Sequence, residues 1–187
     1  MKKTCAVVGL LAIMSAFSGF CLAQAKDAPK TIASILDGGI KNAESEFVPA
    51  AEAMPEDKYG FAPTNGEFKG VRTFGQQVKH VAAVNYIVAA AMLGEKPPMD
   101  LGGENGPDNI KSKAEIVKFI KDSYVYAHKA VATVTAENAT GEVELPFGKF
   151  TRMGLGMLFT AHSFDHYGQM AVYLRMNGIV PPASRGQ

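Results

Sequence analysis

Beyond its first 25 residues the chain has no cysteine, since both thiols, Cys5 and Cys21, lie in the N-terminal segment. A protein that begins near Lys26 therefore has no thiol nucleophile, no Cys-ligated zinc and no disulfide, and its stability must come from packing. Charge of one sign is lacking too: the 187 residues carry a formal net charge of +1. That leaves no basic footprint for nucleic acid, and the few Lys-rich spots are diluted by Glu and Asp. Internal repeats, low-complexity runs and a sustained period-two strand pattern are missing as well, which turns attention to helices. The length suits one domain with enough apolar content for a core.

The N-terminus reads as a secretory signal over residues 1–25. Lys2 and Lys3 form a positive start, an apolar stretch follows, and Ala23, Gln24 and Ala25 give the small-residue pattern of a cleavage site. A retained membrane anchor is the competing reading, because the stretch approaches spanning length. A lipoprotein is disfavoured by Phe20, a bulky ring immediately before Cys21. Cleavage removes Lys2 and Lys3, leaving 17 basic against 18 acidic residues. The expected product, residues 26–187, is a nearly neutral periplasmic or secreted domain with no stable membrane anchor.

Apolar residues at three- and four-residue steps predict four helices. The first runs from Lys30 to Met54 through Ile32, Ile35, Leu36, Ala43, Phe47 and Ala50, with Gly38 and Gly39 as a weak point. The second, about Arg72 to Leu93, has one stripe of Phe74, Val78, Val81, Asn85, Val88 and Met92 and an adjoining one of His80, Val84, Ile87 and Ala91. Ser112 and Glu115 have the spacing of a capping box and start the third, which continues to Val134. Residues 138–150 break the pattern as a small hairpin or irregular loop. The fourth helix runs from about Arg152 to Asn177, with Gly178 as its cap and Pro181 and Pro182 beyond. Helix-on-helix packing, most simply an all-α four-helix bundle, follows; the long connections between helices one and two and between three and four leave crossovers open.

On helix four the stripe is read as Leu155, Leu158, Phe159, His162, His166, Gln169, Tyr173 and Met176. Histidines at i and i+4 lie one above the other and can aim ring nitrogens at one point. That spacing alone also fits hydrogen-bonded core residues or a wet helix edge. His80 beside the inward stripe of helix two adds a third ring to a common interior, where each would otherwise need its own partners. One divalent ion answers for all three. Neutral imidazoles suit Zn, Ni, Fe or Cu, with Zn, Ni and Fe the expected occupants, and three ligands leave positions open. His128, one turn after Tyr124, reads as an amphipathic surface residue rather than a support for a ligand. Asp165 either orients a ligand ring through its other nitrogen or is a solvated flank carboxylate.

Taken together, "VRTFGQQVKHVAAVN" in helix two, "HSFDHYGQMAVYLRMNGIVPP" in helix four and "MPEDKYGFAP" between helices one and two resemble the DinB family from about Thr31 to Pro182. The most specific part is His166, Gly168, Gln169, Tyr173, Leu174, Arg175, Gly178 and the closing Pro181 and Pro182. The resemblance implies a four-helix bundle and assigns a divalent metal to His80, His162 and His166, in agreement with the spacing. Where the family often has arginine after the last of these histidines, this chain has Tyr167, which removes the anion contact such an arginine would provide. The implied activities are metal-dependent hydrolysis and thiol-dependent transferase or isomerase chemistry. Hydrolysis needs only water, whereas export separates the chain from cytoplasmic thiols. A non-enzymatic periplasmic metal-binding module is the third reading. A small-molecule substrate and a homodimeric partner are compatible with all three, and no residue pattern fixes a general base.

Overall fold

The computed structural model describes residues 30–186, so the signal-peptide expectation for residues 1–25 lies outside the described residues. The described chain is a four-helix bundle: α1 Ile32–Ala53, α2 Phe74–Leu93, α3 Lys113–Val131 and α4 Arg152–Met176. The interruption at 138–150 is a two-stranded antiparallel hairpin, β1 Glu142–Leu145 paired with β2 Gly148–Thr151 and turning at Pro146 and Phe147. No helix among the described residues is long and apolar enough to cross a membrane.

The helix starts are fixed by side chains. Ser112 and Glu115 form the capping box of α3, and Thr73 with Gln76 does the same for α2, each pair satisfying backbone N–H groups that have no intrahelical partner. Gly94, with φ +69°, closes α2. At the end of α4 the cap is Asn177, and Gly178 follows it in the left-handed region at φ +74°. Helix α3 stops at Val131, and Val134 is buried in the turn beyond it.

Each helix packs on two neighbours, in the cyclic order α1, α3, α2, α4, so α1 faces α2 and α3 faces α4 only across the diagonal. The connections of residues 54–73 and 132–151 therefore span the diagonal of the bundle, and residues 94–112, between neighbouring helices, complete the circuit. Directions follow from end-to-end contacts. Gly75 lies against Ile116, and Tyr126 and Lys129 both reach Glu95, so α2 and α3 run parallel. Lys113 Nζ donates to the carbonyl of Glu52 while His128 reaches Asp37, so α1 opposes α3. Leu36 meets Gly156 and Gly39 meets Thr160, so α1 and α4 are parallel. A Cβ on Gly39 would lie 2.8 Å from Thr160 Oγ1, and one on Gly156 2.6 Å from Leu36 Cδ1. Of the apparent weak point in α1, Gly39 thus lies where the two helices approach closely, while Gly38 faces open space.

The first stripe of α2 is fully buried, and the adjoining stripe of His80, Val84, Ile87 and Ala91 is half-buried. On α1 the inward face includes Ile40, whereas Ile35 is 60% exposed. Helix α4 departs most from expectation. Its buried face is Leu155, Gly156, Phe159, Ser163, His166, Met170, Tyr173 and Leu174, while Gln169 and Met176 are exposed and His162 lies at the flank. Apolar residues occur around most of α4, and the stripe drawn from spacing drifted off the true axis.

Candidate metal centre

Helices α2 and α4 run antiparallel and bring His80, His162 and His166 together. His162 Nε2 lies 3.2 Å from His80 Nε2 and 3.1 Å from His166 Nε2. Ligands bound at about 2.1 Å are held roughly 3.0 to 3.4 Å apart by octahedral or tetrahedral angles, so these separations suit a shared ion.

The outer nitrogens show which tautomers are present. His80 Nδ1 lies 2.5 Å from the backbone carbonyl of Glu104, an oxygen that can only accept. His166 Nδ1 lies 2.5 Å from Gln77 Oε1, and the amide orientation is set from behind because Gln77 Nε2 donates to Gln169 Oε1 at 2.9 Å. Both Nδ1 atoms therefore carry the proton, leaving Nε2 lone pairs aimed inward. His162 Nδ1 is buried without a partner, so no acceptor fixes that ring. A single N–H on His162 Nε2 could serve one of the two facing lone pairs but not both. The residues fit a cation that takes up all three, with the second nitrogens of two rings held by oxygen acceptors as metal-bound histidines require.

Electrostatics agree. Burial, followed by the neighbouring rings, pushes His162 down to about 3, against a small opposing effect of Asp165. His166 is lowered to about 4 by burial, then by His80 and Arg72. For His80, burial outweighs the carbonyl bond to Glu104 and lowers it as well. All three rings are neutral at physiological pH, the state that ligates.

A cleft of about 470 Å³ opens beside His80. One wall is the half-buried face of α2, the other is residues 101–104, and Phe147 of the hairpin turn adds to the lining. Arg72, just ahead of the α2 cap, also lines it. Of the other residues weighed from sequence, His128 is away from the triad on the α1/α3 pair, bonded to Asp37 and Glu44. Asp165 is exposed and meets Gln169 at 3.5 Å rather than a ring. Tyr167 turns toward Glu46 of α1. Gln77, Glu104 and Arg72 were not legible from sequence; a glutamine three residues before His80 was the available signal for the first.

The sequence profile of the DinB superfamily matches residues 40–170, and the chain belongs to that superfamily. Solved structures support the same fold. A DinB-like protein from Bacillus subtilis aligns with a TM-score of 0.59 at 17% identity, covering 77% of this chain and 92% of its own. A DinB-like protein from Bacillus cereus ATCC 10987 gives 0.58 at 16%, covering 78% and 95%. An uncharacterised protein from Escherichia coli UTI89 gives 0.58 at 14%, covering 81% and 97%. No curated protein matches the chain.

Proposed function

We propose that the chain is a divalent-metal protein ligated by His80, His162 and His166 and that it acts as a metal-dependent hydrolase on a small molecule held in the adjoining cleft. The observation that carries this reading is the meeting of three neutral Nε2 atoms, two with tautomers fixed by Glu104 and Gln77, beside an accessible cleft that His80 lines. A divalent ion bound there supplies Lewis acidity for activating water or a carbonyl, with coordination positions left open by a three-histidine set. The chain's own part is to hold that ion, keep the rings oriented and place Arg72 as a fixed positive charge beside it. Zn, Ni or Fe is the expected ion. The apolar leader supports export of the domain, with the product beginning near Lys26 and working in the periplasm or outside the cell.

Elemental analysis of protein purified at native expression level tests the centre, since overproduction loads whichever metal binds tightest. About one Zn, Ni or Fe per chain is expected, and none overturns the reading. Hydrolysis is tested on a panel of esters and amides before chelation, after it, and after reloading. A rate that disappears and returns with the metal supports the assignment, while retained metal with no turnover reduces the protein to a binding module. Intact-mass analysis of the exported product tests processing near Lys26.

A further inference from the structure

The cleft beside the triad holds a cation whose partners do not satisfy it. Arg72 is fixed from behind, because the Tyr173 hydroxyl donates to its backbone carbonyl at 3.2 Å. Its side chain is only 25% exposed, and the buried Nε–H has no acceptor. The guanidinium's ion pair, Nη2 to Glu104 Oε2 at 3.3 Å, is made to a carboxylate that is 91% exposed on the opposite wall. A guanidinium presents several donors in a planar fork that suits both oxygens of a carboxylate. One solvated oxygen at that distance is a weak, exchangeable partner. The rest of the cleft asks for something different: Ala83, Val84, Ile87 and Phe147 are apolar. From His80 to Ile87 the wall extends about 10 Å along the helix axis.

We propose that this cleft binds an apolar carboxylic acid, its carboxylate on Arg72 in place of Glu104 and its hydrocarbon body along Ala83, Val84 and Ile87 toward Phe147. The inference rests on the metal-centre reading for what happens beside the cleft at His80, while the anion contact itself is made by Arg72. Inorganic phosphate would find the cation but leave the apolar wall uncovered, so affinity should depend on both parts of the ligand.

Isothermal titration calorimetry with hexanoate, hexanamide and inorganic phosphate decides it, using the metal-loaded protein and its H162A variant. Hexanoate should bind at least tenfold more tightly than either of the others. R72Q should weaken hexanoate at least tenfold, to the level of the amide, with metal content and circular dichroism unchanged. E104Q, which removes the internal competitor, should tighten hexanoate a few-fold, an effect that a merely structural Arg72 would not produce. If R72Q does not fold, R72K carries the test, with hexanoate weakened several-fold because lysine lacks the planar fork. No hexanoate binding, equal binding of acid and amide, equal binding of phosphate, or unchanged hexanoate affinity in the folded Arg72 variants overturns the proposal. H162A separates the two readings: it should lose the metal yet keep the preference for acid over amide, so a failed metal centre and a failed anion contact give different results.

Discussion

The bundle has two opposite seams that both contain histidine, and they are built in contrasting ways. Along α1/α3, His128 lies between two carboxylates, with Nδ1 at 2.6 Å from Asp37 and Nε2 at 3.1 Å from Glu44. Lys41 also pairs with Asp37, and Lys121 with Glu52. Along α2/α4 no ion pair joins the two helices among the described residues; three imidazoles and the amides Gln77 and Gln169 meet around the triad, and Arg152 donates to the Met92 carbonyl at the other end. In the first seam each ring nitrogen meets an anion of the protein itself, so nothing is left to bind. In the second no carboxylate oxygen bonds a ring nitrogen, the outer nitrogens of His80 and His166 meet neutral acceptors, and the inner lone pairs face one another. A histidine cluster becomes a candidate ligand set through the lack of anionic partners as much as through its spacing.

The sharpest way to break that contrast is His162→Ala or His166→Ala. Either should reduce bound metal from about one ion per chain to near zero by elemental analysis, with helical content retained because the apolar faces carry the fold. His162→Ala is the cleaner of the two, since His166 is 6% exposed and its loss also opens space in the core. Next in size is Gln77→Leu, which removes the acceptor behind His166. It should weaken the ion about 10- to 100-fold in a chelator competition, while the bundle stays folded.

A smaller effect is expected from pH on chelated protein. The triad rings have folded-state values below the ordinary histidine value, near 3 for His162 and near 4 for His166. The unfolded chain therefore binds more protons as pH falls below about 6.5. Stability of the metal-free protein should fall with pH from there until the buried rings themselves protonate near pH 4 to 3. Urea melts across that range check it, and a flat profile would contradict neutral, buried rings. Smallest is His128→Ala, which should leave metal content unchanged and lower stability by about 1 kcal/mol, because its hydrogen bonds to charged groups are partly solvated. A thermal melt beside metal analysis measures both, and loss of metal in this variant would erase the distinction between the seams.

How much of this was readable from sequence depended on how local the information is. The capping box of Ser112 and Glu115 is four residues long and needs no tertiary context. The two stripes of α2 were separable because Asn85 is the lone polar residue in the first, and the structure gives them different work: one fills the core, the other lines the cleft. On α4 the same method failed for Met176 and missed Ser163, which is fully buried and accepts a hydrogen bond from the Tyr124 hydroxyl. Helix order around the bundle was not available, since long connections place no limit on which neighbours meet. Gln77 falls in neither of the stripes traced on α2, and Arg72 and Glu104 belong to segments whose position is set only by the packed helices. The three histidines were legible; what orients them and what opens beside them depended on the whole fold.

The crossover topology has a kinetic corollary. His80 and His162 are 82 residues apart in sequence, and bringing such distant points together in a flexible chain costs about 4 kcal/mol beyond a constant contribution. The unfolded polypeptide can present only the His162 and His166 pair to an ion, while the complete set exists once α2 and α4 have docked. An ion that recognises the finished bundle and not its precursors stabilises by mass action, about 2.7 kcal/mol at a hundred times its dissociation constant. It does so by slowing departure from the native state, leaving the rate of arrival largely unchanged. Stopped-flow refolding should accordingly proceed at one rate with or without metal, while unfolding in denaturant slows as the ion is added: the metal acts as a latch on a completed fold rather than a seed for it.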